Sequence, residues 1–194
     1  SSDVCSSDLP SSRYPRIADG TLVPAPELVF PAVLGQTPKG PALVRRVDLG
    51  SEVRSRGIVR LPGRFGMPYK ALVPQVDEDG NEIAGIRYPN LLVPLATYTG
   101  WSLRDPSIGQ PHSLLSNYGS YLPFAVTAKE RERTEDSRKS IEERYPSPQH
   151  YLGMLAVSAM QLVKDRYLLP EDLQPIMDKA TAQWMYILSG GKSQ

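Results

Sequence analysis

Residues 71–89, ALVPQVDEDGNEIAGIRYP, hold the clearest local signal in the chain. Two β-rich runs, Leu72 to Val76 and Ile83 to Tyr88, flank Asp77-Glu78-Asp79-Gly80-Asn81. Gly80 supplies the positive φ that a tight reversal needs, so residues 72–88 are expected to form a β-hairpin. Asp77, Asp79 and Asn81 also fall at the first, third and fifth ligand positions of a calcium loop. That motif requires Gly at its sixth position, where this chain has Glu82, and Gly80 stands at the fourth. The hairpin is therefore preferred, and no metal site is expected.

Immediately downstream comes NLLVPLATYTGWSLRDP, residues 90–106. Leu91 to Thr97 reads as a buried strand, placed at a sheet edge because Pro94 interrupts it. Tyr98, Thr99, Gly100 and Trp101 follow as a polar-aromatic turn. Aromatic surfaces carrying one or two hydroxyls suit small ligands, which makes Tyr98, Thr99 and Trp101 the candidate pocket-wall residues. The plainer alternative is that Tyr98 and Trp101 cap the core with their polar tips satisfied.

Upstream, residues 10–41 read as a proline-rich extended arm. Prolines every few residues remove backbone donors and bias their predecessors away from helix, and Asp19-Gly20 marks a tight turn. The apolar residues Ile17, Leu22, Val23, Leu28, Val29 and Phe30 favour an arm laid along a partner surface over a disordered one. Residues 42–123 read as a β-rich segment. Its early part, with Lys39 just before it, is basic: Lys39, Arg45, Arg46, Arg54, Arg56, Arg60, Arg64 and Lys70 face only Asp48 and Glu52. Phosphate binding would suit that patch, but Phe65 and Tyr69 are the only aromatics there to stack on bases. A solvated or salt-bridged face is expected, and no nucleic-acid partner.

Residues 124–146 are expected to carry short charged helices. Ala128 to Arg144 contains six positive and six negative residues, so the run is neutral and reads as a solvated face. Thr127 with Glu130, and Ser140 with Glu143, have capping-box spacing. Residues 147–189 read as a helical hairpin. Ser147-Pro148 provides an N-cap and an N1 proline, and Leu152, Leu155, Ala156, Ala159, Val163 and Tyr167 form one apolar stripe. After Pro170, a second stripe runs through Leu173, Ile176, Met177, Ala180, Trp184 and Ile187, with Pro175 expected to bend or delay its start. Residues 190–194 are a tail. The whole reads as α+β: short antiparallel strands and irregular chain, then helices.

Chemistry is sparse. The G-x-S-x-G elbow of a serine hydrolase does not occur in these residues, and the nearest string, Asn117-Tyr118-Gly119-Ser120-Tyr121, lacks the flanking glycines. Only His112 and His150 offer imidazole bases. Gly190-Gly191-Lys192-Ser193 ends like a phosphate loop, but Tyr186 stands where its first glycine belongs. No cofactor is expected, and no apolar run approaches the ~18 residues needed to span a bilayer. Glycine and proline together make 34 of 194 residues, and fourteen of the nineteen prolines lie between Pro10 and Pro111. That distribution suits a segment wrapped over other structure.

Residues 1–9, SSDVCSSDL, resemble a translated short-read sequencing adapter and are set apart from the fold. With them goes Cys5, the only cysteine. The authentic chain is then expected to begin near Pro10, within a longer gene.

Four strings together carry a family likeness: SRYPRIADGTLVP (12–24), VPQVDEDGNEIAGIRYPNLLVPLATYTGW (73–101), GSYLPFAVTAKERERTEDSRKSIEERYPS (119–147) and DRYLLPEDL (165–173). The chain resembles the C-terminal part of a family of large alpha/beta-hydrolase-domain proteins. The resemblance implies a serine-hydrolase parent acting on ester-like acyl bonds, with its nucleophile elbow and sheet upstream. It makes that N-terminal hydrolase core the expected partner of this segment, and it carries no catalytic residue onto any position here. The segment would then act as cover and be inactive alone; the alternative is a non-catalytic protein- or ligand-binding module.

Overall fold

The computed structural model describes residues 14–33, 43–103, 106–109, 114–116 and 118–190. The leader 1–9, His112, residue 117 and the tail beyond Gly190 lie outside the described residues.

The architecture is mixed α and β: four separate two-stranded antiparallel pairs, followed by helices. Strand β1 (Leu22–Pro24) pairs with β4 (Leu72–Pro74), β2 (Arg45–Asp48) with β3 (Arg64–Pro68), β5 (Ala96–Thr99) with β8 (Ser120–Pro123), and β6 (Ser102–Leu103) with β7 (Leu114–Ser116). Single-turn helices α1 (Val53–Arg56) and α2 (Pro89–Leu92) interrupt the β-rich part. Helices α3 (Ala128–Arg133) and α4 (Ile141–Arg144) lead to the long α5 (Pro148–Lys164) and α6 (Leu173–Leu188). Prolines close three of the four ladders: Pro24 and Pro74 in β1–β4, Pro68 in β2–β3 and Pro123 in β5–β8 have no N–H to donate.

The proline-rich arm finds its surface on its own chain. Leu22 opposes Pro74 and Pro24 opposes Leu72, and the Ala25 N–H donates to the Ala71 carbonyl at 2.9 Å. Further along, the Ser137 N–H reaches the Ala32 carbonyl at 3.0 Å, which brings Phe30 and Val33 into burial. The expected hairpin is narrower than residues 72–88. Its reversal forms, with the Asp77 N–H donating to the Asn81 carbonyl at 2.8 Å and Gly80 at φ +79°. Pairing then stops at a single Val76–Glu82 bridge, as the chain turns away at Gly85, φ +87°. The expected strand Leu91 to Thr97 is also revised. Pro89, with φ preset at a first helical position, starts α2 instead, and the strand begins only at Ala96.

The helices start where their caps predict. Thr127 Oγ1 accepts from the Glu130 N–H, and Ser140 with Glu143 forms a full capping box. Ser147 Oγ accepts from the His150 N–H at 3.1 Å and opens α5. In α6 the prolines act as expected: a 3-10 turn at Pro170–Asp172 precedes the α-helix proper. Its buried face is Ile176, Ala180, Trp184 and Ile187, close to the predicted stripe. On α5 the buried face is Tyr151, Leu155, Ala159 and Leu162. It is rotated by one position from the predicted Leu152, Ala156 and Val163, since Tyr151 brings a large ring against Tyr145 and Trp184, with centroids 5.2 and 5.0 Å away. These helices, with Val93, Leu95, Phe124, Ile141 and Tyr145, form the core.

Candidate functional site

The polar centre of the molecule is the Asp77–Asn81 turn. Asp77 Oδ1 accepts the N–H groups of Asp79 and Asn81 at 3.0 and 2.9 Å, an arrangement that an aspartate opening a turn readily makes. Asn81 is fully buried: its Nδ2 donates to the Ala96 carbonyl at 3.2 Å, and its Oδ1 accepts the Tyr98 N–H at 2.8 Å. One side-chain amide thus satisfies β5 as a neighbouring strand would. A Cβ on Gly80 would sit 2.9 Å from Phe30 Cζ and 3.0 Å from Thr97 Cγ2, so both its φ and its surroundings require glycine.

Two arginines from the charged run clamp this turn. Arg138, with its side chain 0% exposed, uses all five guanidinium N–H donors. Nη1 donates to Thr97 Oγ1 at 2.8 Å and the Leu122 carbonyl at 2.9 Å, and Nη2 to the Pro123 carbonyl at 3.2 Å and Asp136 Oδ2 at 2.6 Å. Nε completes the set on Asp136 Oδ1 at 2.9 Å. Thr97 in turn donates its hydroxyl to the Asp79 carbonyl. Arg144 grips the Asp79 carboxylate with both Nη groups, one at 2.8 Å, and its Nε donates to the Lys139 carbonyl at 2.9 Å. Both guanidiniums lie over the Phe124 ring, at 5.0 and 4.3 Å from its centroid. The solvated face expected for Ala128 to Arg144 is therefore corrected: Asp136, Arg138 and Ser140 are buried, and the run holds the strands to the helices.

Beside the turn is a cleft of about 360 Å³. Asp77, Asp79, Arg87 and Arg144 form its charged side, and Leu91, Leu92, Pro94 and Met154 its apolar side. Arg87 Nη2 donates to Asp77 Oδ2 and to the Leu91 carbonyl, each at 2.7 Å, while its Nε is buried without a partner. The carboxylate oxygens that a calcium loop would need are engaged by guanidinium and backbone donors. Among the described residues no group of three or more His, Cys, Asp or Glu could hold a metal ion.

The candidate wall residues sit together on β5 and its exit, away from the cleft lining. Tyr98 and Tyr121, cross-strand partners with centroids 5.5 Å apart, accept from Gln183 Nε2 at 2.7 and 3.1 Å. Burial pushes the Tyr121 phenol pKa upward. Thr99 Oγ1 donates to the Trp101 carbonyl at 2.5 Å and accepts the Ser120 N–H at 3.1 Å. The Trp101 ring packs on Phe30 at 5.7 Å. Tyr98, Thr99 and Trp101 are half-buried, so each keeps part of its surface open. The Ser120 hydroxyl donates to the Trp101 carbonyl at 3.1 Å, and His150 is exposed at the start of α5.

Sequence reasoning missed Arg138, Asp136 and Arg144. Their signal was the D-x-R spacing beside a capping serine, which lets Asp136 Oδ1 accept both the Arg138 N–H and Nε at 2.9 Å; a neutral charge count concealed it. No helix among the described residues is long and apolar enough to cross a membrane. A family sequence model described as "Alpha/beta hydrolase domain" matches residues 33–178. No curated protein and no solved structure matches.

Proposed function

We propose a function from one premise, that this chain belongs to the alpha/beta hydrolase domain family: it is the substrate-covering part of a serine hydrolase acting on ester-like acyl bonds. In this reading the nucleophilic serine stands on an elbow outside these 194 residues, since none of them spells G-x-S-x-G. That serine would attack the acyl carbon with a histidine as general base, while backbone amides hold the oxyanion. The partner of this segment is then the nucleophile-bearing core. The contribution of these residues is a stiff wall.

The observation that supports this reading is the fully satisfied Arg138 guanidinium, which fixes β5, β8 and the Asp77–Asn81 turn in one arrangement. A wall that orients an acyl chain and keeps water out needs supports of this kind. Tyr98 and Trp101 offer their open ring surfaces to the chain, and Thr99 fixes the path between them through the Trp101 carbonyl. The test compares p-nitrophenyl ester hydrolysis by the 194-residue chain and by the longest reading frame that contains it. Turnover is expected from the longer frame only, and Trp101→Ala should lower its kcat/KM for long acyl chains about tenfold, or about 1.4 kcal/mol. Robust turnover by the 194-residue chain would overturn the proposal. So would a frame without a serine elbow, which would make the segment a binding module.

A further inference from the structure

Most of the charged side chains lining the cleft beside the Asp77–Asn81 turn are engaged with one another. Asp77 is bound by Arg87 at 2.7 Å and Asp79 by Arg144 at 2.8 Å. Glu143 is bound by Arg131, from outside the cleft, at 2.9 Å. The Ser140 N–H and hydroxyl donate to the same Glu143 oxygen, at 2.8 and 2.7 Å. Two charges remain. Glu78 and Lys139 line the cleft, both exposed, and their side chains make no ion pair or hydrogen bond among the described residues.

These two stand at the ends of one clamp. Arg144 Nε donates to the Lys139 carbonyl at 2.9 Å, while its Nη groups hold the carboxylate of Asp79, the neighbour of Glu78. The backbone that carries each free side chain is thereby fixed, and the two charges open on the same cleft without closing on each other. The apolar side is open too: Leu92 of α2 and Met154 of α5 leave 45% and 42% of their surface exposed. At about 360 Å³ the cleft falls in the range of about 300 to 1,000 Å³ typical of small-molecule sites.

The charge balance selects the ligand. Asp77, Glu78, Asp79 and Glu143 are offset by Arg87, Lys139, Arg144 and the adjoining Arg131, so the cleft is neutral as a whole. An acyl carboxylate would meet Lys139 but leave its charge facing Glu78, and an amine would do the reverse. We propose that the cleft binds a small zwitterion with an aliphatic body, an apolar amino acid or a short apolar peptide. Its carboxylate sits on Lys139, its ammonium on Glu78 and its side chain over Leu92 and Met154. The site is separate from Tyr98, Thr99 and Trp101 and does not depend on the hydrolase reading.

Amide NMR shifts of the isotope-labelled 194-residue chain, titrated with L-leucine and with leucyl-leucine, test this. Saturable binding with a Kd of about 1 mM is expected, and the tighter of the two probes tells amino acid from peptide. Lys139→Gln and Glu78→Gln should each weaken it about fivefold, the upper end for an exposed ion pair. Circular dichroism should be unchanged in both, since both side chains are exposed. Each end of the probe reports its own partner. Leucinamide, which lacks the carboxylate, should bind more weakly than leucine and lose nothing further in Lys139→Gln. N-acetylleucine, which lacks the ammonium, should likewise lose nothing further in Glu78→Gln. No saturation by either zwitterion below about 10 mM overturns the proposal, as does binding that neither substitution weakens. N-acetylleucine or leucinamide binding as tightly as leucine would make this a site for one charge alone and overturn it equally.

Discussion

Removing the Asp136 carboxylate is the sharpest test of how the fold is held. Its side chain is 2% exposed and that of Arg138 is 0%. Asp136→Ala would strip acceptors from Arg138 Nε and Nη2 and from the Arg138 N–H at once. A guanidinium left buried without its counter-charge costs about 3 to 5 kcal/mol. Against a total stability of about 5 to 15 kcal/mol, that is a large share. With a urea m-value of about 2 kcal/mol/M, the midpoint should fall by about 1.5 to 2.5 M. Intrinsic fluorescence would follow the transition, since Trp184 lies in the core. The control is Glu52→Gln, which breaks an exposed ion pair to Arg56 whose side chains are 50% and 65% open, and should cost under about 1 kcal/mol. A loss below about 1 kcal/mol for Asp136→Ala, matching the control, would refute the claim that this pair organises the strands.

Three further outcomes are expected. The Tyr145 hydroxyl donates to the Pro94 carbonyl at 2.8 Å while the Tyr151 hydroxyl is buried without a partner, so Tyr145→Phe should cost about 1 kcal/mol and Tyr151→Phe nothing or less in urea titrations. Gly80→Ala should destabilise by at least about 1 to 2 kcal/mol through its left-handed φ alone, and by more through contact with Phe30 and Thr97. Hydrogen bonds from Thr21 and Arg16 hold the Asp19 carboxyl down at about 2, below its ordinary 3.8. Its stabilisation is therefore complete above pH 3.8 and is lost as pH falls through about 2, so Asp19→Asn should lower stability slightly at neutral pH, flatten the acid limb between those values and match the unsubstituted chain below them.

What the sequence disclosed, and what it hid, follows the range of each interaction. Caps are local: Thr127, Ser140 and Ser147 lie within three residues of the N–H groups they accept, and each starts its helix where predicted. The α6 stripe was equally plain, because Ile176, Ala180, Trp184 and Ile187 repeat on one face of a single helix. Strand partners were not local. The run from Leu72 was expected to pair with the run from Ile83, its neighbour across the turn, whereas its partner is the strand Leu22–Pro24 about fifty residues upstream. The charged run was opaque for a related reason. Composition counts Arg138 and Arg133 alike, though one is enclosed by Thr97 and the Leu122 and Pro123 carbonyls and the other is exposed. Tyr98, Thr99 and Trp101 were found together from sequence because they are neighbours on one strand end; Gln183, which ties Tyr98 and Tyr121 to α6, was out of reach.

The Arg144–Asp79 clamp also sets a timetable for vectorial synthesis. Its two halves are 65 residues apart in the chain, and the Thr97–Arg138 bond spans 41. At about 5 to 20 residues per second, Asp79 emerges from the ribosome roughly 3 to 13 s before Arg144 does. Until then the nascent turn has its backbone geometry but not its lock. The topology thus leaves the turn unlocked until α4 has been made.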